Sequence, residues 1–343
     1  MSIERTLWGV LNNGTPVDLF TLTNPSGMEA SIASYGGIVT RLTAPDRAGT
    51  MADVTLGFDS LDEYVVDPFY FGSLIGRVAN RIGRARFELG GESFELENNC
   101  GEHHLHGGSK GFHKQVWDAE PVETDEGPGV LLKYVSPDRE QGYPGRLECS
   151  ATYTLAVDGL RLDFKAVTDK STVVNCTNHS YFNLSSQVGT DCLAHELYIP
   201  ASRVLEMDAA QIPTGLMTDV AGTPLDFTHE VSIGSRMIEQ GYDHYYMLDD
   251  SGPGLRLAAS VHEPVSGRGM EVWTTSPGVQ FYSGNHIPDL LPGKGGLVYG
   301  SRSGFCLEAQ GAVDAPNQSG FPPVSLEPGE EFLQTIQFKF FVK

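Results

Sequence analysis

Apolar and polar residues alternate along much of this chain, and the repeat is two. In "RARFEL" Ala85, Phe87 and Leu89 fall on one side, with Arg84, Arg86 and Glu88 on the other. "RLECSATYTL" puts Leu147, Cys149, Ala151, Tyr153 and Leu155 together, and "GLRLDFKAV" does the same with Leu160, Leu162, Phe164 and Ala166. The C-terminal "EFLQTIQFKFFVK" aligns Ile336, Phe338, Phe340 and Val342. A two-residue period predicts half-buried strands, and such segments run from the first fifty residues to the last ten. Helical periodicity is weak: "SLDEYVVDPF" predicts one or two turns before Pro68. No linker, repeat or low-complexity stretch divides the chain. The pattern therefore predicts one all-β domain over residues 1–343, a large antiparallel β-sandwich with few short helices and its chemistry in the loops.

Composition sharpens this picture. Forty glycines and twenty prolines, about one residue in six, interrupt helices and favour turns between short strands. The net charge of -21 argues against a nucleic-acid partner, since phosphate contacts need lysine or arginine, and against an anionic membrane surface. Five scattered cysteines with no CxxC pair fit free thiols in a reducing compartment. With no signal-peptide core and no long apolar run, the expected location is cytoplasmic.

Four stretches carry polar residues that strand packing does not require. They are "GRVANRIGRARF" with Asn80 and Arg81, "GEHHLHGG" with His103, His104 and His106, "NCTNHSYFNLSS" with His179 and Tyr181, and "GFCLEAQGAVDAPNQ" with Glu308. "GYDHYYML" adds Asp243 and "PGVQFYSGN" adds Gln280. Amides, carboxylates, a guanidinium and aromatic rings suit the hydroxyls and C–H faces of a neutral sugar. Each has a plainer reading: Asp243 as a turn former, Tyr181 and Gln280 as satisfied buried polar groups, His103 and His104 as a loop edge. Of Arg77, Arg81, Arg84 and Arg86, most read as solvated or ion-paired. Glu308 resists the plain reading, because a glutamate at the end of a buried strand needs a partner or a purpose. A metal would use His104 and His106 on one side of a strand, but "GGSKGFHK" supplies no carboxylate after them, so no metal is expected. Neither GxSxG, GxxxxGK[ST] nor GxGxxG occurs, which removes support for nucleophilic hydrolysis, nucleotide use and hydride transfer.

"GRVANRIG", "HLHGGSKGFHKQVW", "TNHSYFNL", "DHYYML", "PGVQFYSGN" and "FCLEAQGAVDAPNQ" occur in an order and at spacings that resemble the aldose 1-epimerase (galactose mutarotase) family. The likeness covers nearly the whole chain. It implies a β-sandwich of the galactose mutarotase type that exchanges the α and β anomers of free aldoses such as galactose and glucose, without a cofactor. It also implies Glu308 as general base, His179 as general acid, and His106 bound to the sugar near its ring oxygen. Asn80, Arg81, Asp243 and Gln280 then hold hydroxyls, with Tyr181 a further contact. Acid and base are expected on opposite sides of one pyranose, in a monomer or weak homodimer. The doublet in "GEHH" and the paired tyrosines of "DHYYML" depart from the family pattern. Competing readings are an epimerase for phosphorylated or longer sugars, with Arg84 and Arg86 as the phosphate grip, a silent sugar-binding protein, and a metal-dependent enzyme.

Overall fold

The computed structural model describes residues 1–186, 190–250, 252 and 254–343. Its largest sheet has nine antiparallel strands, in the order Asp118–Thr124, Gly127–Ser136, Leu147–Leu155, Gly159–Thr168, Phe332–Val342, Arg268–Thr274, Arg256–His262, Glu196–Tyr198 and Val231–Ser232. Two five-stranded antiparallel sheets accompany it. One is N-terminal, from Ser2–Val10 to Met51–Asp53; the other runs Pro213–Asp219, Arg203–Met207, Asp243–Met247, Gly278–Tyr282, Cys306–Gln310. Leu162, Phe164, Ile336 and Phe338 of the nine-stranded sheet share one buried cluster with Ile32 and Leu42 of the N-terminal sheet. Val279, Phe281 and Leu307 of the third sheet join them. Sheets packed through alternate apolar side chains are a β-sandwich. The only α-helix among the described residues is Leu61–Val66, where the pattern predicts a short one; Glu63 accepts the Ser60 N–H at its start.

Alternation places most of the side chains it marked. Leu147, Ala151, Tyr153, Leu155, Leu160, Leu162, Phe164 and Ala166 are buried, whereas Arg84, Arg86 and Glu88 are exposed. Val342 departs from its row and is 45% exposed. Its strand pairs with Gly159–Thr168 only as far as Lys339, so Val342 at the end has a paired strand on one side only. All five cysteines are unpaired. No helix among the described residues is long and apolar enough to cross a membrane.

Arg77 is not the solvated residue its setting suggested: it is 2% exposed. Its guanidinium donates to the carbonyls of Ser136, Pro137 and Pro144 and to the hydroxyls of Ser136 and Thr172, with the Tyr143 ring alongside. A buried cation is tolerated here because acceptors surround it. Arg77→Met strands those carbonyls, at roughly 1–3 kcal/mol for each left unpaired. We expect a loss of about 3 kcal/mol or more, read as a lower midpoint in urea unfolding with an unchanged slope.

Candidate active site

Three strands of the third sheet build one wall. Asp243 pairs with Tyr282, Gln280 with Glu308, and Tyr282 with Cys306. Directly paired residues share a face, so Asp243, Gln280, Tyr282, Cys306 and Glu308 project from one side of the sheet. Tyr246, Val279, Phe281, Leu307 and Ala309 project from the other side into the core. Glu308 sits in the middle of Cys306–Gln310, not at its end, and all five residues of that strand are buried. Part of the chemistry thus lies on sheet, not loops, and rigid strands fix its spacing.

Loops supply the facing wall. The short strand His104–Leu105 pairs with Arg81–Ile82, and beyond it two residues clasp each other. The His106 N–H donates to the Asn80 carbonyl at 3.0 Å, and the Asn80 N–H donates to His106 Nδ1 at 3.1 Å. Both residues are left-handed, with φ of 52° at His106 and 62° at Asn80. Gly107 follows because no side chain fits: a Cβ there would stand 1.8 Å from the Gly76 carbonyl oxygen. This turn separates the clustered histidines. His104 belongs to the interior, fully buried with Nδ1 2.8 Å from the Glu97 carbonyl, and is not a loop edge. His103 accepts the Arg84 N–H outside the cleft. Because His106 has turned out of the strand, it shares no strand face with His104.

His179 follows the strand Thr177–Asn178, which pairs with Leu74–Ile75. Its N–H donates to Ser73 and its carbonyl accepts from Gly72, so the backbone is held on both sides. The polar neighbours crowded into that motif are scaffold. The Asn178 amide donates to the Gly72 carbonyl and the Tyr153 hydroxyl, and its oxygen accepts from Ser180.

These walls enclose a cavity of about 140 Å³ lined by Asn80, Arg81, His106, His179, Tyr181, Asp243 and Glu308. Seven of the eight residues expected from the sequence therefore meet in one place. The eighth, Gln280, stands behind Asp243 and donates to its carboxylate at 2.6 Å; Arg81 reaches the other carboxylate oxygen at 3.9 Å. Pro68, Phe69, Tyr70, Leu105, Tyr282 and His286 complete the lining and were not anticipated. Tyr282 was within reach, being two residues from Gln280 on the same strand; Tyr70 had no local signal.

At the centre His179 Nε2 lies 3.6 Å from Glu308 Oε2, an oxygen that has no hydrogen-bond partner. The two groups are neighbours on one side, not poised across a ring. Burial pushes the Glu308 carboxyl well above its usual range, Asp243 adds to the rise, and Arg81 opposes it. Burial also lowers the His179 imidazole to about 4. Between the imidazole's lowered value and the carboxyl's raised one the pair thus holds one proton, resting on the carboxyl, with both groups uncharged.

His106, Glu308 and His179 offer ligand atoms within 4.8 Å of one another, a set that invites a metal reading. The Asn80 N–H argues otherwise. It occupies His106 Nδ1 as acceptor, so Nε2 of the neutral ring carries the hydrogen and faces the cavity as a donor. Burial above all, with the Arg81 guanidinium nearby, disfavours the charged form of that ring. A metal at Nε2 would require breaking the clasp, whereas a sugar oxygen requires only the donor already present.

An antiparallel sandwich whose polar cleft joins a proton-sharing carboxyl–imidazole pair to amide, guanidinium and aromatic groups defines a carbohydrate-type protein with acid–base chemistry. The family model described as aldose 1-epimerase matches residues 18–339. The chain is 42% identical to a galactose mutarotase of Rattus norvegicus over 100% of this chain and 99% of that one. It is 33% identical to an aldose 1-epimerase of Escherichia coli (strain K12) over 96% of both chains. A crystal structure of galactose 1-epimerase from Lactobacillus acidophilus superposes with a TM-score of 0.85 at 28% identity, covering 100% of this chain and 99% of that one. This chain belongs to the aldose 1-epimerase family.

Proposed function

We propose that the protein exchanges the α and β anomers of free aldoses such as galactose and glucose, with Glu308 and His179 moving the protons. Anomer exchange opens a hemiacetal. With the pair's proton moved from the carboxyl to the imidazole, Glu308 removes the proton of the anomeric hydroxyl O1 while His179 gives one to the ring oxygen O5, and the C1–O5 bond breaks. The aldehyde turns about C1–C2, O5 attacks the other face, and both protons return. Electrons and atoms balance without redox change or covalent intermediate. Two positioned proton carriers are worth about 10²–10⁴-fold each.

The observation that carries this reading is the 3.6 Å separation of His179 Nε2 and Glu308 Oε2 inside the cavity. O1 and O5 are bonded to the same carbon, so base and acid must converge on one edge of the sugar, and neighbours on one wall do so. His106 Nε2–H suits the ring oxygen or an adjacent hydroxyl, and Arg81, Asn80 and the Gln280–Asp243 pair suit the remaining hydroxyls. Tyr181, its ring tilted 32° against the His179 ring with centroids 5.1 Å apart, packs beside that imidazole. Arg84 and Arg86 are exposed outside the cavity, which leaves the phosphate-grip reading without support.

Polarimetry tests the function directly. Freshly dissolved α-galactose and α-glucose should equilibrate faster with the protein than without it, chelator present; a rate equal to the blank rejects it. Within the histidine cluster, His106→Ala should cut kcat/KM by about 10-fold or more, the cost of one charge-free but desolvated donor and its packing. His103→Ala should leave turnover within about twofold, since it touches no cavity atom. Equal losses in both variants would contradict the division.

A further inference from the structure

Tyr70 brings to the cavity a polar end that the fold leaves unused. Its hydroxyl has no hydrogen-bond partner among the described residues, and its side chain lines the cavity beside His106, His179 and Arg81. The ring stands 4.7 Å from the His106 ring, 4.7 Å from His113 and 5.8 Å from His179. It therefore touches both imidazoles that face the sugar.

The chain goes to some trouble to place it. Tyr70 has φ of 61°, a left-handed backbone that a bulky aromatic residue adopts only when its surroundings enforce it. The enforcement is visible. The buried Asp67 carboxylate accepts the N–H groups of Phe69 and Phe71 at 2.7 and 2.8 Å, folding the segment into a tight arch. Lys114 donates to the carbonyls of Tyr64, Val65 and Asp67, tying the foot of the arch to the strand-flanking loop. Phe71 is fully buried against Phe58 and Tyr181 and anchors the far side. Pro68, Phe69 and Tyr70 of the arch line the cavity, and of these Tyr70 alone brings a hydrogen-bonding side chain. Asn80 and His106, two other non-glycine residues with left-handed backbone, line the same cavity.

We propose that Tyr70 is a substrate-contacting residue, its phenolic hydroxyl bonding one sugar hydroxyl while its ring holds His106 and His179 in plane; this rests on the anomer-exchange reading for the identity of the ligand class. Burial keeps the phenol protonated, at about 12, so it is a donor throughout the working range. A purely structural tyrosine would make the ring contacts without needing the hydroxyl, which is the distinction to test.

Equilibrium binding of D-galactose and of its 2-, 3-, 4- and 6-deoxy analogues should be measured by titration calorimetry for wild type and Tyr70→Phe. The expected result is about 3- to 10-fold weaker galactose binding in the variant, the size of one neutral hydrogen bond. For one deoxy analogue the two proteins should bind equally, identifying the contacted hydroxyl. Unchanged galactose affinity, or a loss of the same size for every analogue, overturns the proposal. Should Tyr70→Phe melt early, 3-fluorotyrosine placed at position 70 keeps the test alive: its fluorine resonance must shift on galactose addition, and a fixed resonance at saturating sugar overturns the proposal. Wild-type polarimetry run beside the titrations separates this outcome from the broader one. A protein that binds galactose but does not exchange anomers refutes the function, and leaves the Tyr70 contact to be judged on binding alone.

Discussion

Glu308→Gln should abolish nearly all catalysed anomer exchange, lowering kcat by about 10²–10⁴-fold, while the protein becomes more stable. The substitution keeps shape and hydrogen-bonding capacity and removes only the ability to accept and return a proton. In the native protein burial raises the Glu308 carboxyl well above its ordinary value. A group whose folded pKa is raised contributes stability that is complete below its unfolded pKa and is lost as pH climbs through the folded value. Between the unfolded value and the raised folded one, an unfolded glutamate is ionised and the folded one is not, which costs about 1.4 kcal/mol for each pH unit of that interval. Glutamine bears no such cost. Thermal melting at pH 7 should therefore show the variant melting higher than wild type, with the gap closing near pH 4. A variant that is both inactive and less stable at neutral pH would mean that the loss reflects disrupted packing. Activity retained within tenfold would remove Glu308 from the chemistry altogether. Gain of stability on disabling a site is the usual sign that its strain serves function.

His179→Asn should lower kcat to a similar extent, again about 10²–10⁴-fold, and the Glu308→Gln/His179→Asn double variant should be scarcely worse than either single one. The reason is that the two residues act as a unit: once one proton carrier is gone, the concerted transfer is lost and the other has little left to contribute. Proton counting gives the pH dependence. The competent free protein carries one proton on the pair, and moving it from carboxyl to imidazole 3.6 Å away changes no total. That form prevails above the imidazole's pKa of about 4 and gives way only when the raised carboxyl ionises. Catalysed kcat/KM should therefore be level from above about pH 4 up to the raised carboxyl value, fall on the acid side as a second proton adds, and fall on the alkaline side as the only proton leaves. These limbs belong to the pair jointly. Residual activity of His179→Asn should lack the acid limb, and an acid limb that persists unchanged would assign it to another group. A single limb centred near the ordinary histidine value would contradict the shared-proton description.

What a chain of this kind reveals before folding is the property that depends on near neighbours. Alternation in Leu147–Leu155 and Gly159–Thr168 fixed which side chains turn inward, because a strand's faces follow from its own two-residue repeat. The cost of burying a carboxylate marked Glu308, since a glutamate following "GFCL" needs a partner or a purpose there. Order and spacing of the six motifs carried the family, and with it the residues that the fold gathers around one cavity.

The tertiary structure decided everything that depends on distant partners. Nothing in "GEHHLHGG" separates His104, sealed in the interior, from His106, turned into the cleft; the separation comes from pairing with Arg81–Ile82 and from the Gly76 carbonyl pressed against Gly107. Arg77 looked solvated until the segment from Ser136 to Pro144 closed three carbonyls around it. Tyr70 was silent because its role comes from an arch held by Asp67 and from histidines that lie far along the chain. The proton inventory of Glu308 and His179 was likewise undetermined, for desolvation and proximity are properties of a three-dimensional site. Local pattern selects a face; only long-range pairing determines what that face meets.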